Sequence, residues 1–190
     1  KTMKHRELRV FRATRLLDFD VVRREGLRLL DLRERISRLY ELADGPLRAL
    51  KGQIDDIVGR VDLTEDFFTI REGSVCATPM RRYLHDGGCD VFFEHWGGEA
   101  IQRFASMASP KLEAAIRSIG NPAVVVFRIP AFGFCEFSDT RLPPTMLELA
   151  LEASNGIEVH VGGWDVFSKR AVPPQWIEDI LPPDHSSLTI

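Results

Sequence analysis

The stretch from Ala123 to Ile129, apolar at every position but Arg128, most narrows what this chain can become. Three valines and an isoleucine in seven residues, with no polar alternation, predict a strand covered on both faces. Such a strand needs a neighbouring strand along each edge and a packed layer on each side. A chain of 190 residues can supply all of these within a single domain, residues 1–190, without a disulfide or metal staple.

The remaining pattern is mixed. Leu8 to Ala13 alternates as a strand, with Leu8, Val10 and Arg12 on one face. Asp18 or Asp20 can cap a short helix through Val21 and Val22 that ends near Gly26. From Leu29 to Arg60 two helical stripes follow: Leu32, Ile36, Leu39 and Leu42, then Leu47, Leu50, Ile54, Ile57 and Val58. The break at Asp44-Gly45-Pro46 makes them a helical hairpin, about 29–60, inserted after the first strand. Strands are expected over Phe67–Ile70, Ser74–Thr78 and Val91–Phe93, and helices from Gly98 and, capped by Ser109 with Pro110 next, over 110–119. The late chain reads as a strand near Phe132–Phe137, a helix over Met146–Ala153, a strand at Ile157–Val161 and a short helix over Pro173–Ile180. The class is therefore α+β: a mixed, mostly antiparallel β core, an N-terminal helical hairpin and further short helices.

Composition excludes several classes. An apolar fraction of 44% with 28% charge is that of a globular chain, not a disordered one. No apolar run nears the ~20 residues that span a bilayer, and the charged N-terminus lacks an apolar leader, so a cytoplasmic protein with no membrane partner is expected. Cys76, Cys89 and Cys135 are an odd set at irregular spacing, which suits a reducing compartment and small buried side chains. Residues 1–60 hold 15 Lys/Arg against 10 Asp/Glu, whereas the other 130 hold 10 against 18. The early surplus is a solvated helical face, or else a patch that steers a phosphate-bearing ligand or nucleic acid.

The common nucleotide and metalloprotease signatures are absent: no phosphate loop, no Gly-x-Gly-x-x-Gly after a strand, no His-Glu-x-x-His. His85, Cys89, His95 and Glu99 fall within 15 residues, but a strand and a Gly-Gly turn separate them, so no metal site is expected. A metal-dependent nuclease or hydrolase using His85, His95 and Glu99 is a minor alternative. In Trp96-Gly97-Gly98-Glu99 two glycines precede a helix, which is either a tight turn or a place where backbone N–H groups hold an anion. In the strand at 157–161, Glu158 and His160 share one face and the apolar residues take the other. That pattern fits either a cleft-facing pair or a wet edge strand.

Three features together resemble the ADP-ribosyltransferase superfamily. An early strand carries Arg12 in Val10-Phe11-Arg12-Ala13-Thr14 and leads to a helix ending Arg23-Arg24-Glu25-Gly26-Leu27. A middle strand, Ser74 to Thr78, precedes Arg81-Arg82-Tyr83-Leu84. A late strand bears Glu158 and is followed by Val172-Pro173-Pro174-Gln175-Trp176-Ile177. The chain departs from the family in having Ala77-Thr78-Pro79 for Ser-Thr-Ser and Glu158-x-His160 for Glu-x-Glu, which brings it nearer the nucleic-acid-modifying, toxin-like members. The resemblance implies an enzyme that cleaves NAD and transfers ADP-ribose to a macromolecular acceptor, protein or nucleic acid, as a bacterial toxin or defence effector with a cognate inhibitor protein. It implies Glu158 and His160 as catalytic residues, and Arg12, Thr14, Ser74, Thr78 and Tyr83 as the NAD-binding set. The rival expectation is a non-catalytic interaction module using the basic N-terminal helices.

Overall fold

The computed structural model describes residues 7–43, 45, 47–59, 71–79, 81–84, 89–130, 135–137 and 166–183, with backbone alone at 82, 83 and 135–137. The fold is α+β. In chain order it runs β1 (Glu7–Leu16), α1 (Phe19–Glu25), α2 (Leu32–Ala43), α3 (Lys51–Val58), β2 (Val75–Ala77) and α4 (Asp90–Glu94). Then come α5 (Gly98–Ala108), α6 (Pro110–Arg117), β3 (Asn121–Pro130), β4 (Cys135–Phe137), β5 (Val166–Ser168) and β6 (Ile177–Leu181). The strands form two three-stranded antiparallel sheets, β1-β3-β6 and β2-β5-β4.

The apolar run is the central strand of the first sheet, as its composition demands. Val124, Val125 and Val126 are all inaccessible to solvent. Ala123, Val125, Phe127 and Ile129 pack with Val10 of β1, Val22 and Leu27 around α1, and Val75, Ala77 and Val166 of the second sheet. On the reverse face Val124 and Val126 meet Ala13, Leu84, Phe92 and Phe93. The first sheet is thus buried on one side by the second sheet and on the other by α4 and a short 3₁₀ turn over Arg81–Leu84.

A separate helical core joins the expected hairpin to α5 and α6. Leu32, Ile36 and Leu39 of α2 and Ile54 and Ile57 of α3 cluster with Ile101, Phe104, Leu112, Ile116 and Trp96. Arg15 of β1 ties the helices to the sheet: its guanidinium donates to the carbonyls of Phe93 (2.8 Å), Ile119 (2.7 Å) and Gly120 (2.7 Å). Those carbonyls sit at or just past the ends of α4 and α6, where they lack partners within the helix and face a favourable positive charge.

The α6 start matches its sequence signature. Ser109 accepts from the Leu112 N–H at 3.1 Å, and its hydroxyl also donates to the Gln53 side chain on α3. A Ser109→Ala variant is expected to lose about 1–2 kcal/mol, toward the upper end for a lost N-cap, because the tie to α3 goes with it. Urea unfolding of the variant beside wild type measures that loss.

Two expected elements take another form. Val91–Phe93 lies in helix α4, not in a strand; a three-residue apolar run carries no period of its own, and Phe92 and Phe93 reach the sheet face from one helical turn. Pro173–Ile180 is not a helix. A single 3₁₀ turn over Pro174–Trp176 gives way to β6, which pairs along β3. The open edge of β3 demands hydrogen-bond partners, and that need overrides the proline-led helix start. The elements expected over 67–70, 146–153 and 157–161 lie outside the described residues. Among the described residues no helix is long and apolar enough to cross a membrane.

Candidate functional site: an arginine-lined cleft

On the core-facing side of β1, Val10 is followed by Arg12 and Thr14, so an apolar strand face turns polar halfway along. These two residues stand at the divide of a two-lobed cleft. The larger lobe, about 150 Å3, opens between β1, α1 and α2. The smaller, about 40 Å3, lies between β1, β2 and the turn that starts α5. Arg12, Thr14 and Arg35 line both.

The cleft concentrates positive charge. Six arginines (12, 15, 28, 35, 38 and 71) line it against the carboxylates of Asp18, Glu25, Glu34 and Glu99. Most of the charges are committed. Arg28 pairs with Glu25 at 2.8 Å and Glu34 at 3.6 Å, Arg38 with Glu34 at 3.5 Å, and Arg71 with Glu99 at 2.7 Å. Arg15 is held by the three helix-end carbonyls. Arg12 and Arg35 are different: neither has a carboxylate within ion-pair reach among the described residues. Arg12 donates to the Cys76 carbonyl at 2.7 Å, and Arg35 lies over the Trp96 ring, 5.6 Å from its centroid.

Burial and like charge act on both. Desolvation lowers the Arg12 pKa; the Cys76 sulfur opposes this and Arg71 adds to it. Arg35 falls to about 10, first through desolvation and then through the charges of Arg12 and Arg38. At about 10, Arg35 remains protonated near neutrality, and arginine side chains in general keep their proton in proteins. A depressed folded-state pKa on a base means that unfolding takes up protons, so the penalty persists at every pH below about 10 and is relieved only above it. The fold therefore holds two adjacent cations at a cost in stability, and a bound anion removes that cost.

The Trp96–Glu99 segment supplies the floor. Gly97 and Gly98 take positive φ, +82° and +70°, and α5 begins at Gly98 with no side-chain cap. A Cβ at Gly97 would sit 2.4 Å from Ile101, and one at Gly98 2.8 Å from Phe92, so the tight turn needs glycine at both places. Trp96 is buried beneath, and Glu99 projects into the smaller lobe to reach Arg71.

Of the residues expected to bind NAD, Arg12, Thr14 and Ser74 meet at this cleft. Ser74 spends its hydroxyl hydrogen on the Arg71 carbonyl at 2.5 Å. Thr78 is one step aside: its backbone bridges Phe11 of β1, and it lines a small recess of about 30 Å3 shared with Arg12, Cys76 and Cys89. Cys76 and Cys89, expected as buried side chains, are half-buried. Glu158, His160, His85 and the side chain of Tyr83 lie outside the described residues. The metal-site residues that are described diverge: His95 faces Glu113 on α6 at 3.3 Å, whereas Glu99 faces Arg71. Among the described residues no group of three or more His, Cys, Asp or Glu side chains is placed to hold a metal ion. Comparison with protein-family models, curated proteins and solved structures finds no match.

Proposed function

We propose that this protein is an NAD-dependent ADP-ribosyltransferase-like enzyme, with the larger lobe of the cleft, up to the Arg12–Arg35 divide, as the seat of the dinucleotide. The observation that carries the reading is the adjacency of Arg12 and Arg35, two desolvated guanidinium groups at the divide between lobes with no carboxylate in ion-pair reach among the described residues. A pair of planar donors at that divide suits a pyrophosphate, whose oxygens accept from each in a two-pronged manner. The larger lobe is the one with room for a nucleoside. Its walls offer Leu16, Val21, Val22 and Leu27 to a base, and Glu25 and Glu34 to ribose hydroxyls.

The reaction is substitution at the nicotinamide-bearing ribose. The C1′–N bond breaks, nicotinamide leaves with its electron pair, and the acceptor's nucleophilic atom forms the new bond to C1′. The transition state resembles an oxocarbenium ion, as in glycoside hydrolysis, and a carboxylate beside it stabilises the developing charge. Glu158 is assigned that role from the family resemblance, with His160 as general base toward the acceptor. Nicotinamide release should be measurable with wild-type protein and NAD. It should drop at least about a hundredfold in Glu158→Gln, the scale seen when one transition-state electrostatic contact is removed. Equal release from both proteins would remove Glu158 from the chemistry.

The rival reading, an interaction module using the basic N-terminal helices, gains less support. Arg28 and Arg38 are exposed, but they pair with carboxylates within the chain, Glu25 and Glu34, which lowers the net positive charge of that face.

A further inference from the structure

The smaller lobe shares Arg12 and Arg35 with the larger one and adds a third guanidinium, that of Arg71. Its lining brings the guanidinium groups of Arg12, Arg35 and Arg71 together with the hydroxyl of Thr14, against the single carboxylate of Glu99. At about 40 Å3 it has room for about three waters, at ~10–15 Å3 each. A recess of that size receives the end of a ligand, not its middle, and excludes a ring. The geometry points to a binding site here for a terminal phosphate, either the free dianion or the monoester end of a second substrate. This assignment goes beyond the NAD reading and does not depend on it.

The chemistry favours phosphate over a carboxylate. A carboxylate carries one negative charge and two oxygens in a plane, which one guanidinium fork satisfies. Three guanidinium groups approaching from β1, α2 and the segment before β2 surround a tetrahedral group better, and two negative charges answer them better than one. Arg35 is the key group: it rests on Trp96, has no acceptor among the described residues, and needs an anion to offset its desolvated charge. Arg71 is oriented by its stacking on Phe92, 5.4 Å from the ring centroid, and by the 2.7 Å pair with Glu99. Glu99 is the one opposing charge. It is about one-third exposed, sits in the first turn of α5 and faces the same lobe. An incoming phosphate competes with it for Arg71, so Glu99 sets the affinity of the site.

Calorimetric titration of inorganic phosphate into the whole chain tests this. Wild type should bind one phosphate saturably. Arg35→Gln and Arg71→Gln should each bind at least about tenfold more weakly, the value of one charge-assisted hydrogen bond. Glu99→Gln should bind more tightly, and Arg48→Gln, a substitution at an exposed arginine that does not line the cleft, should match wild type. If Arg71→Gln fails to fold because α5 loses its ion pair, Arg35→Gln and Glu99→Gln carry the comparison. Saturable binding that ignores Arg35 and Glu99, or no saturable binding, overturns the site. A 5′-phosphorylated trinucleotide and its 5′-hydroxyl twin separate the two sources. Tighter binding of the phosphorylated strand than of inorganic phosphate, with none by its twin, assigns a substrate's phosphate end; the reverse order assigns the free ion. An absence of NAD turnover would leave these outcomes standing.

Discussion

Arg12→Gln should lower kcat/KM for NAD by roughly 10²–10⁴-fold while leaving a folded protein, because two charge-assisted hydrogen bonds at ~1.5–3 kcal/mol each are at stake. Glutamine is too short and carries no charge, so a pyrophosphate at the divide would lose the two-pronged contact. Stability responds differently. The variant gives up the 2.7 Å bond to the Cys76 carbonyl, leaving that group with ~1–3 kcal/mol of unmet hydrogen bonding. It also removes a charge that burial and Arg71 already disfavour. The two effects oppose each other, so the melting temperature should move little or rise, the usual sign of a residue kept for function at the expense of stability. Steady-state kinetics with a parallel thermal melt separates the outcomes. Near-normal turnover in a folded Arg12→Gln protein would contradict its placement at the substrate.

The second large effect concerns the wall of the larger lobe. Gly26 ends α1 at φ +78° and ψ −158°, a conformation open almost only to glycine. A Cβ there would lie 2.0 Å from the Val172 carbonyl oxygen and 3.0 Å from Pro173 C, both backbone atoms that cannot rotate away. Gly26→Ala should therefore cost about 3 kcal/mol or more, combining the backbone penalty with overpacking of ~1–3 kcal/mol. The damage spreads, because the next residue, Leu27, exchanges backbone hydrogen bonds of 2.9 and 2.8 Å with Val172 and both α1 and Leu27 wall the lobe. Gly52→Ala is the contrast. No atom lies within 4 Å of its added Cβ, and the residue is inside α3, so stability should rise by ~0.5–1 kcal/mol. Chemical denaturation of the pair reads both signs in one experiment.

Much of the scaffold was legible because single residues forced it. Ala123 to Ile129 could be satisfied only between two strands, and Ser109-Pro110 could begin only a helix. The hairpin was legible from two apolar stripes broken at Asp44-Gly45-Pro46, with α2 and α3 now on either side. Short runs were not. Val91–Phe93 has too few residues to show a period, and 177–181 became a strand only because β3 left an edge open. The site divides in the same way. Arg12 was legible through the family resemblance, on a strand face it shares with Leu8 and Val10. Arg35 was not, because it sits beside Ile36 and three residues after Leu32, on the border of a core stripe where arginines normally reach into solvent. Arg71 reads as a turn residue until the sheet packs it over Phe92. Charge count alone pointed toward the early helices. It is packing, not composition, that pairs Arg28 and Arg38 and leaves Arg12 and Arg35 without an ion pair among the described residues.

The proposed function rests on the Arg12–Arg35 divide as a seat for NAD. A thermal-unfolding titration with NAD tests it most directly. At 100 times its dissociation constant the dinucleotide should add about 2.7 kcal/mol to the stability of the wild-type chain, and at the same NAD concentration much of that gain should be missing in Arg35→Gln. A wild-type melting temperature that NAD leaves unmoved, or one that rises equally in both proteins, would contradict it.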